Sequence, residues 1–590
     1  MIKPIRVMNK SSTKTVAMLT SSVFFTGLVA VTFQQNQPVQ AFPSPLASRS
    51  SLSSSKYVTS KLRAEKRPGN PLQTLIGDMA SSLASSISGG GVSNSNLAEL
   101  DSNLKSTVSS SWEDIRSDLE SKQTPDERAF RSNVKKGIGP ASPLHKIRLF
   151  DESNKEEDIR VTLYRDHASW CPVSIPFLQL NVICYIRFPS LIYPPLLAMQ
   201  YCQKVWMFLE EKRIPYRIEK INMRCYGEKP ASFQRLQPSG AIPVAIIDGR
   251  TLNQSNDIIY TLEELFTGGK QKSMLPPQDD SAKRMKAQQL LKLERSLFSA
   301  WMSYLTGSSR SKGSFINVLG EVENELKNAD GDFFLGNEVS LVDCMYAPFL
   351  ERIAASMIFF KGLQIRVPKG AMTDHPAINR WFDAMETLES YTLTKGDYYS
   401  HCWDLPPQLG GCVFEDGGGP YEQAINGEKL VDSSRGSWEL PIEPHLGGVE
   451  PDWHWCGDEN AAKREAVERL SFNHGAIVSF AARGAGKKGL PPYSAALSDP
   501  NAVPNDSVKT SVDACLSIVC LALLNGVDSV ADDLEKIVMT LSKQGGPQHV
   551  ENVIASLAYL RDRIGVPRDM RLPAATQLRA HINYVIGKMM

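Results

Sequence analysis

A chain of 590 residues holds roughly three to four domain-sized units. Its 65 Lys+Arg stand against 64 Asp+Glu, a net charge of +1 that excludes a bulk field drawing it to nucleic acid or an anionic membrane. The ten cysteines follow no disulfide-type spacing in a chain too large to need staples, which points to thiols in a reducing compartment.

The first segment reads as an address. Residues 1–14 carry Lys3, Arg6, Lys10 and Lys14 with no acid, and Val16–Phe33 is apolar apart from small polar residues. With Val39 and Ala41 at the −3 and −1 positions, residues 1–41 form a signal peptide whose cleavage exposes Phe42. Phe42–Ala64 is Ser-rich, basic and acid-free, so 42–69 has the composition of a transit peptide. This bipartite leader resembles that of algal plastids with extra enclosing membranes, and implies delivery to the plastid stroma. A secreted protein with a Ser-rich linker, or a single-span anchor, is the competing reading. Residues 70–157, rich in Ser, Gly, Asn and Asp, are expected to be a linker with a marginal helix around Leu97–Leu119.

Next comes an α/β pattern over 158–268. Ile159–Tyr164 alternates apolar and polar residues as a half-buried strand does, and it runs into Trp170-Cys171-Pro172. Val173–Gln200 then breaks the pattern: it is apolar, lacks Gly, Asp and Glu, and contains Pro176, Pro189, Pro194 and Pro195. Beyond it Tyr201–Lys212 is a helix with Val205, Phe208 and Leu209 on one face. Removing 173–200 joins the flanks into Trp-Cys-Pro-Tyr-Cys-Gln. A translated intron fits the borders, since Val codons begin GT and one Gln codon ends AG. A loop insertion and a membrane span are the alternatives, the span opposed by Arg187 and the prolines.

In the joined form Cys171 caps the helix, Pro172 fits its first turn, and the unpaired N–H groups favour a thiolate. Such settings lower a thiol pKa from ~8.5 into the range ~3.5–7.5. Cys202, one turn on, is placed as a resolving thiol. In the written sequence Pro194-Pro195 can start the helix a turn and a half early, leaving Cys202 inside it and Cys171 stranded. Further on, Lys212–Ile221 reads as helix end, turn and second strand. Ile242-Pro243 opens a strand that ends in the hairpin pair Asp248-Gly249, and Gln254-Ser255 leads a helix whose free amides suit a carboxylate.

Trp-Cys-Pro-Tyr-Cys, Ile242-Pro243 and Gln254-Ser255, in this order, resemble the glutathione site of glutathione transferases, nearest the omega class and its glutaredoxin-like relatives. The resemblance implies glutathione as co-substrate, with Cys171 as nucleophile and Cys202 as second catalytic thiol. Pro172, Tyr201, Ile242, Pro243, Gln254 and Ser255 then form the glutathione-binding set. By the same match Pro243 is cis, Ile242 pairs its backbone with the cysteinyl part of glutathione, and Gln254 and Ser255 hold the γ-glutamyl carboxylate. Leu236 stands where the class keeps a basic residue, with Arg235 adjacent.

Residues 269–395 carry helical patterns. Ser281–Tyr304 places Met285, Leu290, Leu291 and Leu297 as core, and Ser340-x-x-Asp343 is a capping box that makes Asp343 a folding residue. Ser340–Arg352 and His375–Phe382 resemble two helices of omega-type transferases. Residues 396–457 are expected to be an irregular connector. They hold His401, Cys402, Cys412, His454 and Cys456, but the spacings fit no standard zinc knuckle and no metal is expected.

The last part, 458–590, shows helical patterns over 461–482, 507–524, 529–542, 549–564 and 574–588, implying a small bundle of unknown role. Cys515 and Cys520 read as core thiols, and Asp533, Asp562 and Arg563 as a solvated face. The whole is thus expected to be an α/β thioredoxin-like domain, an all-α transferase domain and a further helical domain. Its function is read as a glutathione-dependent thiol transferase or disulfide oxidoreductase, acting on a small-molecule or protein disulfide, as a monomer or homodimer. Neither nucleic acid nor, after leader removal, a stable membrane association is expected. A non-catalytic scaffold of the same fold and a dehydroascorbate reductase are the alternatives.

Overall fold

The computed structural model describes residues 94–108, 110–168, 201–268, 271–431, 435–442, 449–451, 458–493 and 495–590. The expected leader, Cys171, Pro172 and Val173–Gln200 lie outside the described residues.

The stretch read as a linker with a marginal helix around Leu97–Leu119 contains three helices, α1 (Asn94–Thr107), α2 (Trp112–Lys122) and α3 (Pro125–Lys136), of which α1 and α2 cover that segment. Local chemistry explains the last two. Ser111 and Asp114 form a reciprocal capping box at the start of α2, and Thr124 and Glu127 form another at α3, where Pro125 occupies the first turn. Gly137, at φ 78°, ends α3 in the left-handed conformation that glycine adopts without steric cost. Leu100, Leu104, Ile115 and Leu119 are fully buried, and their core belongs to the far end of the chain.

A five-stranded sheet follows, from β1 (Ile147–Arg148), β2 (Val161–Arg165), β3 (Tyr216–Lys220), β4 (Val244–Ile247) and β5 (Arg250–Leu252), in the order β1-β3-β2-β4-β5. β2 and β3 are parallel, with Leu163 opposite Ile218, and the remaining pairs are antiparallel. Val161, Leu163 and Arg165 are buried and alternate with half-buried neighbours, as the period-two pattern requires. Helices α4 (Cys202–Lys212), α5 (Ala231–Leu236) and α6 (Ser255–Leu265) complete this thioredoxin-like domain.

The all-α domain is built from α7 (Ser281–Leu305), α8 (Lys312–Lys327), α9 (Leu341–Lys361), α10 (Pro376–Met385) and α11 (Glu389–Thr392). All 21 residues of α9 are buried, so it is the central helix, apolar on nearly every side. Its start is set by Asp343, whose carboxylate accepts from Ser340 N (2.9 Å), Ser340 Oγ (2.6 Å), Phe334 N (3.1 Å) and Trp381 Nε1 (2.9 Å). On α7, Leu290, Leu291 and Leu297 are core, but Met285 is 58 % exposed: five residues before Leu290, it points about 140° around the helix from it, off the face that carries the leucines.

The stretch expected as an irregular connector carries α12 (Tyr398–Leu409) and α13 (Gly419–Ile425). Asp397 caps α12 by accepting from Ser400 N, a signal masked by the Gly, Pro and Trp content around it.

The C-terminal bundle consists of α14 (Glu459–Ser471), α15 (His474–Ala481), α16 (Lys509–Asn525), α17 (Ala531–Thr540), α18 (Gly546–Arg561) and α19 (Leu572–Met589). Its core includes Leu470, Val512, Leu557 and Leu578 and closes over α1 and α2. Asp506–Asn525 is long and apolar enough to cross a membrane by length and composition, and most of it is covered by this bundle. Cys515 and Cys520 are fully buried on α16. Asp562 is not on a solvated face: it is buried and paired with Arg561 at 2.8 Å, and its carbonyl accepts from Tyr399 Oη at 3.0 Å.

Candidate functional site

The sheet register gathers the expected glutathione-binding residues at one end. Tyr164 pairs with Val244, and Ala245 with Leu252, so the end of β2, the start of β4 and the exit from β5 coincide. Ile242 and Pro243 immediately precede β4, both are buried, and the bond between them is cis. Gln254 stands at the cap of α6 in extended conformation (φ −128°, ψ 132°), and Ser255 is its first, fully buried residue. The first-turn amides of α6 have no intrahelical acceptors, and they open at this same end. Arg235 is exposed and Leu236 half-buried at the end of α5.

Helix α4 begins at Cys202, with Tyr201 at its cap in extended conformation (φ −126°, ψ 124°). Pro194-Pro195, where the written sequence allowed the helix to start, lie outside the described residues. Because α4 delivers β3 parallel to β2, its first turn stands at the end of the sheet where β2 stops. Tyr201, Cys202, Gln203 and Lys204 are all buried. The Tyr201 ring meets Phe349 edge-on at 4.7 Å, and the Arg352 guanidinium lies 5.1 Å from it. Lys204 pairs with Glu294 at 2.5 Å and sits 4.3 Å over the Phe349 ring. Burial pushes the Lys204 ammonium down, opposed by Glu294.

Sequence reasoning missed the polar cluster behind this turn. Glu351 of α9 accepts from Gln203 Nε2 (2.8 Å), Gly396 N (2.8 Å) and His401 Nε2 (2.6 Å). Arg352 Nη1 donates to Gln203 Oε1 at 3.0 Å. His401 is thus engaged with a carboxylate, and Cys402 donates to the Ala355 carbonyl at 3.3 Å. His454 and Cys456 lie outside the described residues, and those residues contain no group of three or more potential metal ligands. On the same face of α12, one turn beyond His401, the buried Asp404 accepts from Tyr226 Oη, and burial pushes its carboxyl well up against that hydrogen bond. The only trace of this cluster in the sequence is His401 and Asp404 three apart among aromatic residues.

Residues 198–265 match the glutathione S-transferase N-terminal domain, and 307–384 match the glutathione S-transferase C-terminal domain. The two matched stretches occur in the order in which they occur in glutathione S-transferases. Glutathione S-transferase DHAR2 of Arabidopsis thaliana is 27% identical over 198 residues, 33% of this chain and 83% of that protein. Glutathione S-transferase L3 of the same plant is 29% identical over 200 residues, 33% of this chain and 78% of that one. Among solved structures, glutathione transferase Omega 3C from Trametes versicolor aligns with a TM-score of 0.30 and 20% identity, over 40% of this chain and 85% of that one. The transferase match thus takes in Tyr201, Cys202, Ile242, Pro243, Gln254 and Ser255, and starts after Cys171 and Pro172. The helices before β1 and those from α12 onward fall outside both matched domains.

Proposed function

We propose that the protein is a glutathione-dependent thiol transferase with Cys171 as nucleophile and Cys202 as resolving thiol. The observation carrying this reading is the arrangement at one end of the sheet: the first turn of α4, the cis Ile242–Pro243 pair and Gln254-Ser255 leading α6. Such a set suits a peptide thiol. On this reading the backbone of Ile242 pairs with the cysteinyl unit, and Ser255 at a helix N-terminus holds a carboxylate. The Cys171 thiolate attacks the glutathione sulfur of a mixed disulfide, and the substrate leaves as a thiolate that takes up a proton. A second glutathione thiolate then attacks the Cys171–glutathione disulfide, forming glutathione disulfide and restoring the cysteine thiolate, or, in the dithiol route, Cys202 attacks it, releasing glutathione and forming a Cys171–Cys202 disulfide that glutathione reduces.

Val173–Gln200 separates the two cysteines in the written chain, so its removal belongs to the proposal. A glutathione-coupled disulfide reduction assay on the chain with and without 173–200 tests both points. We expect turnover in the shorter form and its loss in Cys171→Ser; turnover that survives Cys171→Ser excludes this nucleophile. The absence of any turnover favours the scaffold reading. Sequencing of the transcript decides whether 173–200 is removed. A fluorescent fusion of residues 1–69 tests delivery to the plastid stroma, and secretion of the fusion would exclude it.

A further inference from the structure

We propose that Glu351 and His401 position the first turn of α4 through Gln203, which makes α12 part of the transferase unit although it lies outside both matched domains. The inference rests on reading α4 as the redox helix.

Gln203 directly follows Cys202 and is fully buried, and its amide is held at both ends: Nε2 donates to Glu351 and Oε1 accepts from Arg352. The two partners are consecutive residues of α9. An amide needs one acceptor and one donor, so Glu351 and Arg352 together fix its rotation as a single charged residue would not. Glu351 is in turn fixed from the other side. Its Oε1 accepts from the Gly396 amide and from His401 Nε2, while Oε2 is left to Gln203. Residue 396 has to be glycine, because a Cβ there would lie 2.7 Å from the His401 ring atoms Cε1 and Nε2.

The electrostatics agree with this geometry. Burial pushes the Glu351 carboxyl up, but His401, Arg352 and Lys395 outweigh it and hold the group below its ordinary value. Burial and Arg352 push His401 down, against Glu351 and Asp397. Against the Glu351 carboxylate the donated hydrogen sits on Nε2, and Nδ1 is buried without a hydrogen-bond partner among the described residues. Protonation would put an unpaired N–H there. Gln203 and His401 thus both donate to the Glu351 carboxylate, which links α12 to the residue beside the thiol.

The test uses the chain without residues 173–200, the form in which turnover is expected, and a substitution that reverses the polarity of one bond. In Glu351→Gln the new amide keeps Oε1 for Gly396 and His401 but faces the Gln203 amide donor to donor. In the double variant Gln203→Glu with Glu351→Gln, residue 351 donates to the new carboxylate at 203, which still accepts from Arg352. Hydrogen exchange at the amides of Trp206 and Met207, whose helical acceptors are the carbonyls of Cys202 and Gln203, reports on the first turn.

The single variant is expected to speed their exchange about tenfold, and the double variant to return it to within about twofold of the native chain. The double variant also brings a negative charge next to Cys202, so the pH of half-maximal disulfide reduction moves up. Equal exchange in the single and double variants overturns the proposal. So does faster exchange spread evenly over α7 and α8, or a double variant matching the native chain in exchange and pH midpoint alike. Absence of disulfide reduction in the unsubstituted chain without 173–200 would remove the proposed function, while the exchange measurements still decide whether Glu351 positions the turn.

Discussion

Arg579 of α19 donates to Asp397 at 2.9 Å, with both side chains buried and the two residues 182 positions apart in the chain. Asp397 caps α12 with its other oxygen, and the Arg579 guanidinium lies 4.7 Å from the Tyr399 ring and 4.9 Å from that of Trp438. This pair ties the C-terminal bundle to the helix that backs the candidate site. Removing one partner of such a pair strands a buried charge, so Arg579→Met is expected to cost about 3–5 kcal/mol in urea unfolding. Asp397→Asn combined with Arg579→Met should recover a good part of that loss; a double variant no better than the single one would mean that the charge is not what matters.

Leu119 is fully buried in the core shared by α2 and the C-terminal bundle. Leu119→Ala is expected to destabilise that bundle by about 2–5 kcal/mol. Unfolding followed by denaturant checks this. A change below about 0.5 kcal/mol, the size of an ordinary surface substitution, would remove α2 from the core.

His581 gives the bundle a pH dependence of known sign. Burial pushes its imidazole down to about 4, only partly opposed by the Gln577 carbonyl that accepts from Nδ1 at 2.7 Å. Between pH 6.5 and about 4 the unfolded chain binds this proton and the folded chain does not, so stability is full above 6.5 and falls as pH drops toward 4. The gap corresponds to about 3 kcal/mol. His145, His375, His401 and His549 are pushed down by burial and add in the same direction. Melts of His581→Gln across this window should show a shallower slope than the native chain; an unchanged slope would contradict the assignment.

Cys515 is fully buried and its thiol is pushed up by burial to about 12, and Cys520 is pushed up as well. Iodoacetamide at pH 8 should leave both unmodified in the folded chain and alkylate both in denaturant, as peptide mass spectrometry would show. Labelling of either under native conditions would show that α16 opens.

The thioredoxin-like and all-α domains were legible because their periods are strong over contiguous residues. β2 alternates, α6 opens after Gln254-Ser255, and Ser340-x-x-Asp343 marks the start of α9. What escaped depends on partners distant in the chain. Leu100, Leu104, Ile115 and Leu119 are the few apolar residues of a Ser-rich stretch, and they count as core only once α14 and α16 are beside them. Asp562 reads as a surface acid until Arg561 and Tyr399 are seen around it. In the same way Glu351 looks like one charge on a long helix, and nothing near it in sequence shows that residues 203, 396 and 401 converge on its carboxylate.

Trp112 stacks on His474 with ring centroids 4.4 Å apart, and its indole N–H reaches Asp513, 401 residues further on. At about 5–20 residues per second, a ribosome needs roughly 20–80 s to bring that carboxylate into being after the tryptophan is made. The thioredoxin-like and all-α domains can close on themselves in the meantime, whereas α1 and α2 must wait with their leucines uncovered. A nascent chain halted before α16 would therefore offer those leucines to chaperones, and release of the last hundred residues would withdraw them.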